Sequence, residues 1–261
     1  MSFHLGITEA AILSAAAGLA GAINSVAGGG TIVSFPVAVA LGLPPITANA
    51  TNAVALTPGS IASAFAYRRE LDADRGILKV FLPPAVIGGV VGALLLLLTP
   101  QRIFDAIVPF LVLFATLLLL VQNLRKTTQA TQTGEWRVPQ SRVVATLLQL
   151  SIGLYGGYFG GGMGIMMLAL YTRMGGTDIH RMNGVKSVVG AAINGVASIA
   201  FIVAGAVDWR VGAVMAIGAV IGGFAGAAVA RRVKPAVVRW VVVAIGFALT
   251  IALGYKRFVA G

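Results

Sequence analysis

Apolar residues fill this chain in blocks of near-membrane length, separated by short polar breaks. The blocks are Val80–Leu98, Ile103–Val121, Val143–Leu154, Gly184–Ala204, Val211–Ala230 and Val237–Leu253. Several approach the roughly 20 residues that a helix needs to cross a hydrocarbon core of about 30 Å. No long stretch alternates polar and apolar residues, which argues against an outer-membrane barrel. A first helix is expected over Ile7–Val26, and two shorter apolar pieces stand at Thr31–Leu41 and Met163–Met174. At about 1.5 Å per residue the first short piece reaches only about 16 Å, half the core.

Each short piece follows a glycine triplet, and the triplets open an internal repeat. Gly28-Gly29-Gly30 and Gly160-Gly161-Gly162 are 132 positions apart. "IGGVVGA" at Ile87–Ala93 returns as "IGGFAGA" at Ile221–Ala227, offset 134, and Pro100 returns as Pro235, offset 135. Asn49 then aligns with Asn183, Asn52 with Lys186 and Asp74 with Asp208. The chain divides into a first membrane repeat (1–121), a polar, basic linker (122–142) and a second membrane repeat (143–261).

Composition agrees with the pattern. The chain is 58% hydrophobic and 10% charged, against about 25% charged in a soluble domain, so it is an integral membrane protein. The net charge of +11 is read as loop charge that sets topology rather than as a nucleic-acid surface. If the short pieces do not reverse the chain, the repeats are parallel and the nineteen Lys and Arg split eleven against eight. If they do reverse it, only Arg102, Arg210, Lys256 and Arg257 fall on one side and the other fifteen on the opposite one. The positive-inside rule favours the second arrangement. The expected fold is therefore an all-α polytopic membrane protein. It has two inverted repeats of about five membrane segments each, with broken or short helices after the triplets. Both termini then lie on the periplasmic or extracellular side of the inner (plasma) membrane, with the linker in the cytoplasm. The N-terminal segment lacks the basic start of a signal peptide and is read as a retained helix.

The absence of cysteine excludes disulfide and thiolate chemistry. Two histidines and eight acidic residues form no visible metal cluster, carboxylate pair or Ser-His-Asp set, so neither an enzyme nor a metal site or cofactor is expected. Asp74 and Asp208 read as N-caps. Trp209 and Trp240 read as interfacial anchors. Gly88/Gly92 and Gly218/Gly222/Gly226 have the small-xxx-small spacing of close helix packing.

The triplets differ from such packing positions. Consecutive glycines weaken a helix by about 1 kcal/mol each. A helix that stops there and restarts leaves backbone N–H groups that must be paired or line a wet cavity, and the restarting N-terminus favours an anion. Gly29, Gly30, Thr31, Gly161, Gly162 and Met163 are the expected substrate-binding backbone. Asn49, Asn52, Asn183 and Lys186 add side-chain donors at the start of the next helix, with a spacing of three that puts them on one face. Lys186 opposes the local macrodipole and would cost about 2.5–3.5 kcal/mol deep in a membrane. It must therefore snorkel to the surface or face an anion or a carboxylate.

The order and duplication of "AGGGT" (Ala27–Thr31), "TNA" (Thr51–Ala53), "GGYFGGGMG" (Gly156–Gly164) and "DWR" (Asp208–Arg210) resemble the TauE/SafE family of membrane transporters over nearly the whole chain. The resemblance implies an exporter of small sulfur-containing anions, sulfite or organosulfonates, driven by the membrane potential or a proton gradient. Expected partners are thus a small anion, the lipid bilayer and a coupling proton or other ion. Nucleic acid is not among them, and a homo-oligomer stays open. Lys186 stands where the first repeat has Asn52, so the half-sites differ. The competing readings are a passive anion channel and a membrane assembly or scaffold protein.

Overall fold

In a computed structural model, described for residues 5–26, 29–68, 75–124, 142–176, 178–229 and 235–258, every regular element is a helix. The first five are α1 (Ile7–Val26), α2 (Thr31–Ala40), α3 (Pro45–Ala66), α4 (Arg75–Leu98) and α5 (Gln101–Leu124). The second five are α6 (Arg142–Tyr158), α7 (Met163–Arg173), α8 (Ile179–Val203), α9 (Trp209–Val229) and α10 (Pro235–Phe258). Among the described residues α1, α4, α5, α8 and α9 contain spans long and apolar enough to cross a membrane. Gly28, Asp74 and most of the linker lie outside the described residues.

The helices start and stop where local chemistry dictates. Asp208 accepts from the N–H groups of Arg210 and Val211 at 3.0 and 3.1 Å, the expected cap of α9. Asp178 caps α8 in the same way through His180 and Arg181. Pro45 opens α3, where its missing N–H has no partner to lose. The short helices α2 and α7 follow the triplets within one residue of the expected bounds.

Glycine seams join the two sets of five. Gly18 and Ala22 of α1 lie against Gly222 and Gly226 of α9, so the two helices run the same way at backbone contact. Ala85 and Gly89 of α4 lie against Gly153 and Gly157 of α6, again in parallel. Thr51 and Gly59 of α3 meet Gly212 and Ala219 of α9, which makes α3 parallel to α9 and hence to α1. The short α2 therefore carries the chain back between them.

Across the centre the direction changes. Thr57 pairs with Ser198 and Ser63 with Ser187, each at 3.1 Å, so α3 and α8 run antiparallel. Thr116 lies against Gly246, while Val108 and Leu253 share a cavity, so α5 and α10 are antiparallel too. Position by position, the first helix of each set packs on the fourth of the other. The third packs on the fourth and on the third, and the fifth on the fifth. Exchanging the two sets leaves this pattern unchanged.

The outward faces are apolar: Leu94, Leu98, Phe110, Ile217, Ile221 and Phe224 are all exposed. Trp209 and Trp240 are exposed near the starts of α9 and α10. Buried polar side chains gather instead on α2, α3 and α8, inverting the usual soluble arrangement.

Candidate functional site

Gly29-Gly30 and Gly160-Gly161-Gly162 each lead into a half-length helix. Gly162 takes φ +82° at the N-cap of α7, a conformation that any Cβ would strain. Gly30 sits at the head of α2 against the Ala20 carbonyl of α1, where a Cβ would collide with backbone.

The two breaks meet around a cavity of about 40 Å³, room for a few water-sized groups. Gly29 and Thr31 line it from the first break, and Gly160, Met163 and Gly164 from the second. Asn24, Ser60, Ser63, Lys186, Ser187 and Asn194 supply its remaining polar wall. The N–H groups of Gly161, Gly162 and Gly164 have no acceptor among the described residues.

Lys186 is 4% exposed, so its ammonium does not snorkel to the surface. It donates to the Asn24 carbonyl of α1 at 3.1 Å and to Asn183 Oδ1 at 2.7 Å. Among the described residues no carboxylate lines the cavity beside it. Asn49 makes the counterpart bond, donating to the Tyr158 carbonyl of α6 at 3.0 Å. Each of these donors thus serves a carbonyl at the C-terminal end of the other set's first helix, groups that lack a partner within their own helix.

The ten expected substrate-binding residues divide. Gly29, Thr31, Met163 and Lys186 line the cavity. Asn183 stands behind Lys186 as its acceptor. Asn52 forms a buried cluster with Ser34 and, at 3.5 Å, with Thr31 Oγ1, so it supports the wall from behind. Asn49 braces α6, and Gly161 accepts from Tyr155 Oη at 2.7 Å. Gly162 packs against Ala115. The N–H of Gly30 is already taken by Asn24 Oδ1 at 2.8 Å.

Sequence reasoning missed Asn24, Ser60, Ser63, Ser187 and Asn194. One signal was available: Ser60 and Asn194 are 134 positions apart, the repeat offset itself. Ser63 and Ser187 meet Ala197 and Ala53 at that offset, and Asn24 meets Gly156 at the triplet offset of 132, so these three needed the packing to find them.

Apolar outer faces, membrane-length helices and a lysine-bearing polar cavity where two helix breaks meet are the marks of a multi-pass membrane transporter for a small molecule. The chain belongs to the TauE/SafE family, matching the family described as Sulfite exporter TauE/SafE over residues 13–253. The Sinorhizobium protein named "Probable membrane transporter protein ORF9" is 31% identical over 257 residues, spanning 97% of this chain and 94% of that relative. A Haemophilus influenzae protein named "Probable membrane transporter protein" is 27% identical over 254 residues, 97% of each chain. The Escherichia coli K12 protein named "Probable membrane transporter protein YfcA" is 26% identical over 238 residues, 91% of this chain and 86% of its own. No solved structure matches the chain significantly.

Proposed function

We propose that the protein is a secondary transporter that exports a small sulfur-containing anion, sulfite or an organosulfonate, by alternating access. The observation that carries this reading is a buried lysine at the meeting point of two helix breaks, surrounded by hydroxyl and amide donors and, among the described residues, facing no carboxylate in the cavity. In low-dielectric surroundings a cation without a counter-ion attracts an anion strongly. The open N–H groups at the head of α7 add donors of the same sign. Sulfur as the anion's central atom comes from the family description, not from the cavity.

In this reading residues 1–121 and 143–261 are inverted repeats joined by a cytoplasmic linker at 122–142, in the plasma (inner) membrane with both termini outside. The exchange pattern of helix contacts supports it, as do the antiparallel α3/α8 and α5/α10 pairs. Such repeats rock against one another around a site between them, and the α3–α8 contact through four hydroxyl groups is the natural sliding seam. A proton gradient or the membrane potential supplies the drive.

The test is reconstitution of the full chain into proteoliposomes, with efflux of sulfite, sulfate and chloride measured with and without an imposed potential. A saturable sulfite flux that responds to the potential supports the reading. Non-saturating flux of all three anions would identify a channel, and absence of any anion flux would refute both.

A further inference from the structure

The two helix breaks are not equivalent as anion sites. In the first, Asn24 reaches forward six residues and its amide oxygen accepts the Gly30 N–H at 2.8 Å. That oxygen sits where an anion would sit at the head of α2. In the second, the position 132 residues on from Asn24 is Gly156, which has no side chain to do the same. There the N–H of Gly162, the counterpart of Gly30, stays open together with those of Gly161 and Gly164 among the described residues, whereas at the first break the Gly30 N–H is taken and that of Thr31 stays open. Asn24 also holds the ammonium of Lys186 through its main-chain carbonyl at 3.1 Å, and it lines the same cavity.

We infer that Asn24 is a specificity-determining and positioning residue, whose side chain occupies the Gly30 donor at the head of α2 so that the protein takes one anion, at the α7 side, against Lys186. The inference rests on the anion-transport reading above. The neutrality of the amide is the key property. It satisfies a backbone donor without adding a negative charge that would compete for the ammonium. An aspartate in its place keeps the Gly30 bond and nearly the same shape, yet puts a tethered anion inside the site. An alanine keeps the main-chain carbonyl for Lys186 but uncovers the Gly30 N–H, opening the second half-site.

The experiment uses purified full-length wild type, Asn24→Asp and Asn24→Ala. Sulfite flux in proteoliposomes is combined with the rise in melting temperature that sulfite gives in detergent. Asn24→Asp is expected to raise the half-saturating sulfite concentration about tenfold or more while the maximal rate stays within about twofold, because a competing tethered anion weakens ground-state binding. Asn24→Ala is expected to raise the Hill coefficient above that of wild type as a second anion enters. The melting-temperature shift reads binding even for a variant that does not transport. An unchanged half-saturation in Asn24→Asp overturns the inference, as does a fall in maximal rate alone in both variants, since that is what loss of packing at the break would give. If wild type neither binds nor carries sulfite, the transport reading falls and the inference with it. If wild type does both and the variants match it, the inference alone falls.

Discussion

The ammonium of Lys186 meets the main-chain carbonyl of Asn24 at 3.1 Å, joining α8 to the end of α1 across 162 positions of sequence. The bond gives a buried cation a structural partner, because a helix C-terminus offers carbonyls and a negative dipole end. It also leaves the ammonium on the wall of the central cavity. The structural role of Lys186 and the transport role proposed for it are therefore separable by experiment.

Lys186→Gln keeps a donor for the Asn24 carbonyl and removes the charge. It is expected to reconstitute as a folded protein, with a melting temperature near that of wild type, and to lose sulfite flux at least tenfold. Lys186→Leu also removes the donor and leaves the Asn24 carbonyl unpaired, which costs about 1–3 kcal/mol. Its melting temperature should fall below that of Lys186→Gln. Wild-type flux in Lys186→Gln would refute the site.

Ser63 and Ser187 lie with their hydroxyls 3.1 Å apart on antiparallel α3 and α8. In this cysteine-free chain the pair Ser63→Cys with Ser187→Cys should cross-link under mild oxidation, since side chains this close fall within disulfide reach. Cross-linking should stop transport and dithiothreitol should restore it, if α3 slides on α8 during the cycle. A cross-linked protein that transports at the uncross-linked rate would place the motion elsewhere.

Topology can be read from two single cysteines. Ala73 lies between α3 and α4, and the exposed Ala204 lies between α8 and α9. A membrane-impermeant thiol reagent applied to intact cells should label Ala204→Cys and leave Ala73→Cys unlabelled until the membrane is opened. Labelling of both from outside would refute inversion of the repeats.

Gly222 faces the Gly18 carbonyl at the α1–α9 seam, without room for a Cβ. Gly222→Leu should separate the two helices and lower the melting temperature by an amount equivalent to about 1–3 kcal/mol or more. Gly254, with open space around it, should accept alanine without measurable loss. Both are checked by thermal unfolding in detergent, and equal stability of the two variants would contradict the seam.

Asn52 is 2% exposed and bonded to Ser34, itself fully buried. Ser34→Ala should strand the Asn52 amide oxygen and lower stability by about 1–3 kcal/mol. Half-saturation for sulfite should barely change, because Asn52 stands behind the cavity wall. A large rise in half-saturation with unchanged stability would move Asn52 into the binding site itself.

Much of the architecture was legible along the chain. The bounds of α1 follow from the apolar run that begins at Ile7 and ends before the first triplet, and α2 and α7 follow from glycine punctuation. Asp208 announced the start of α9. Asn49 and Asn183, aligned at the repeat offset, each occupy the fifth position of their helices. These features are local, fixed by hydropathy, backbone freedom and capping within a few residues of each position.

The cavity wall was less legible. Asn49, Asn52 and Lys186 look alike in sequence, each a polar residue near a helix start. Asn49 braces Tyr158, Asn52 supports Ser34, and Lys186 alone reaches the cavity. Asn49 and Lys186 meet partners more than one hundred residues away and Asn52 meets one eighteen residues back, on a different helix in each case, and spacing along one helix carries no record of that.

By itself the sequence determined a membrane chain of duplicated helices with two deliberate breaks, because length, hydropathy and glycine chemistry act locally. Tertiary structure alone decided that the breaks face each other and that Asn24 fills one of them. It also decided that Lys186 ends beside the carbonyl of Asn24. Close approach of α1 to α9 and of α4 to α6 joins the two halves, and only their packing brings Lys186 within hydrogen-bonding reach of Asn24.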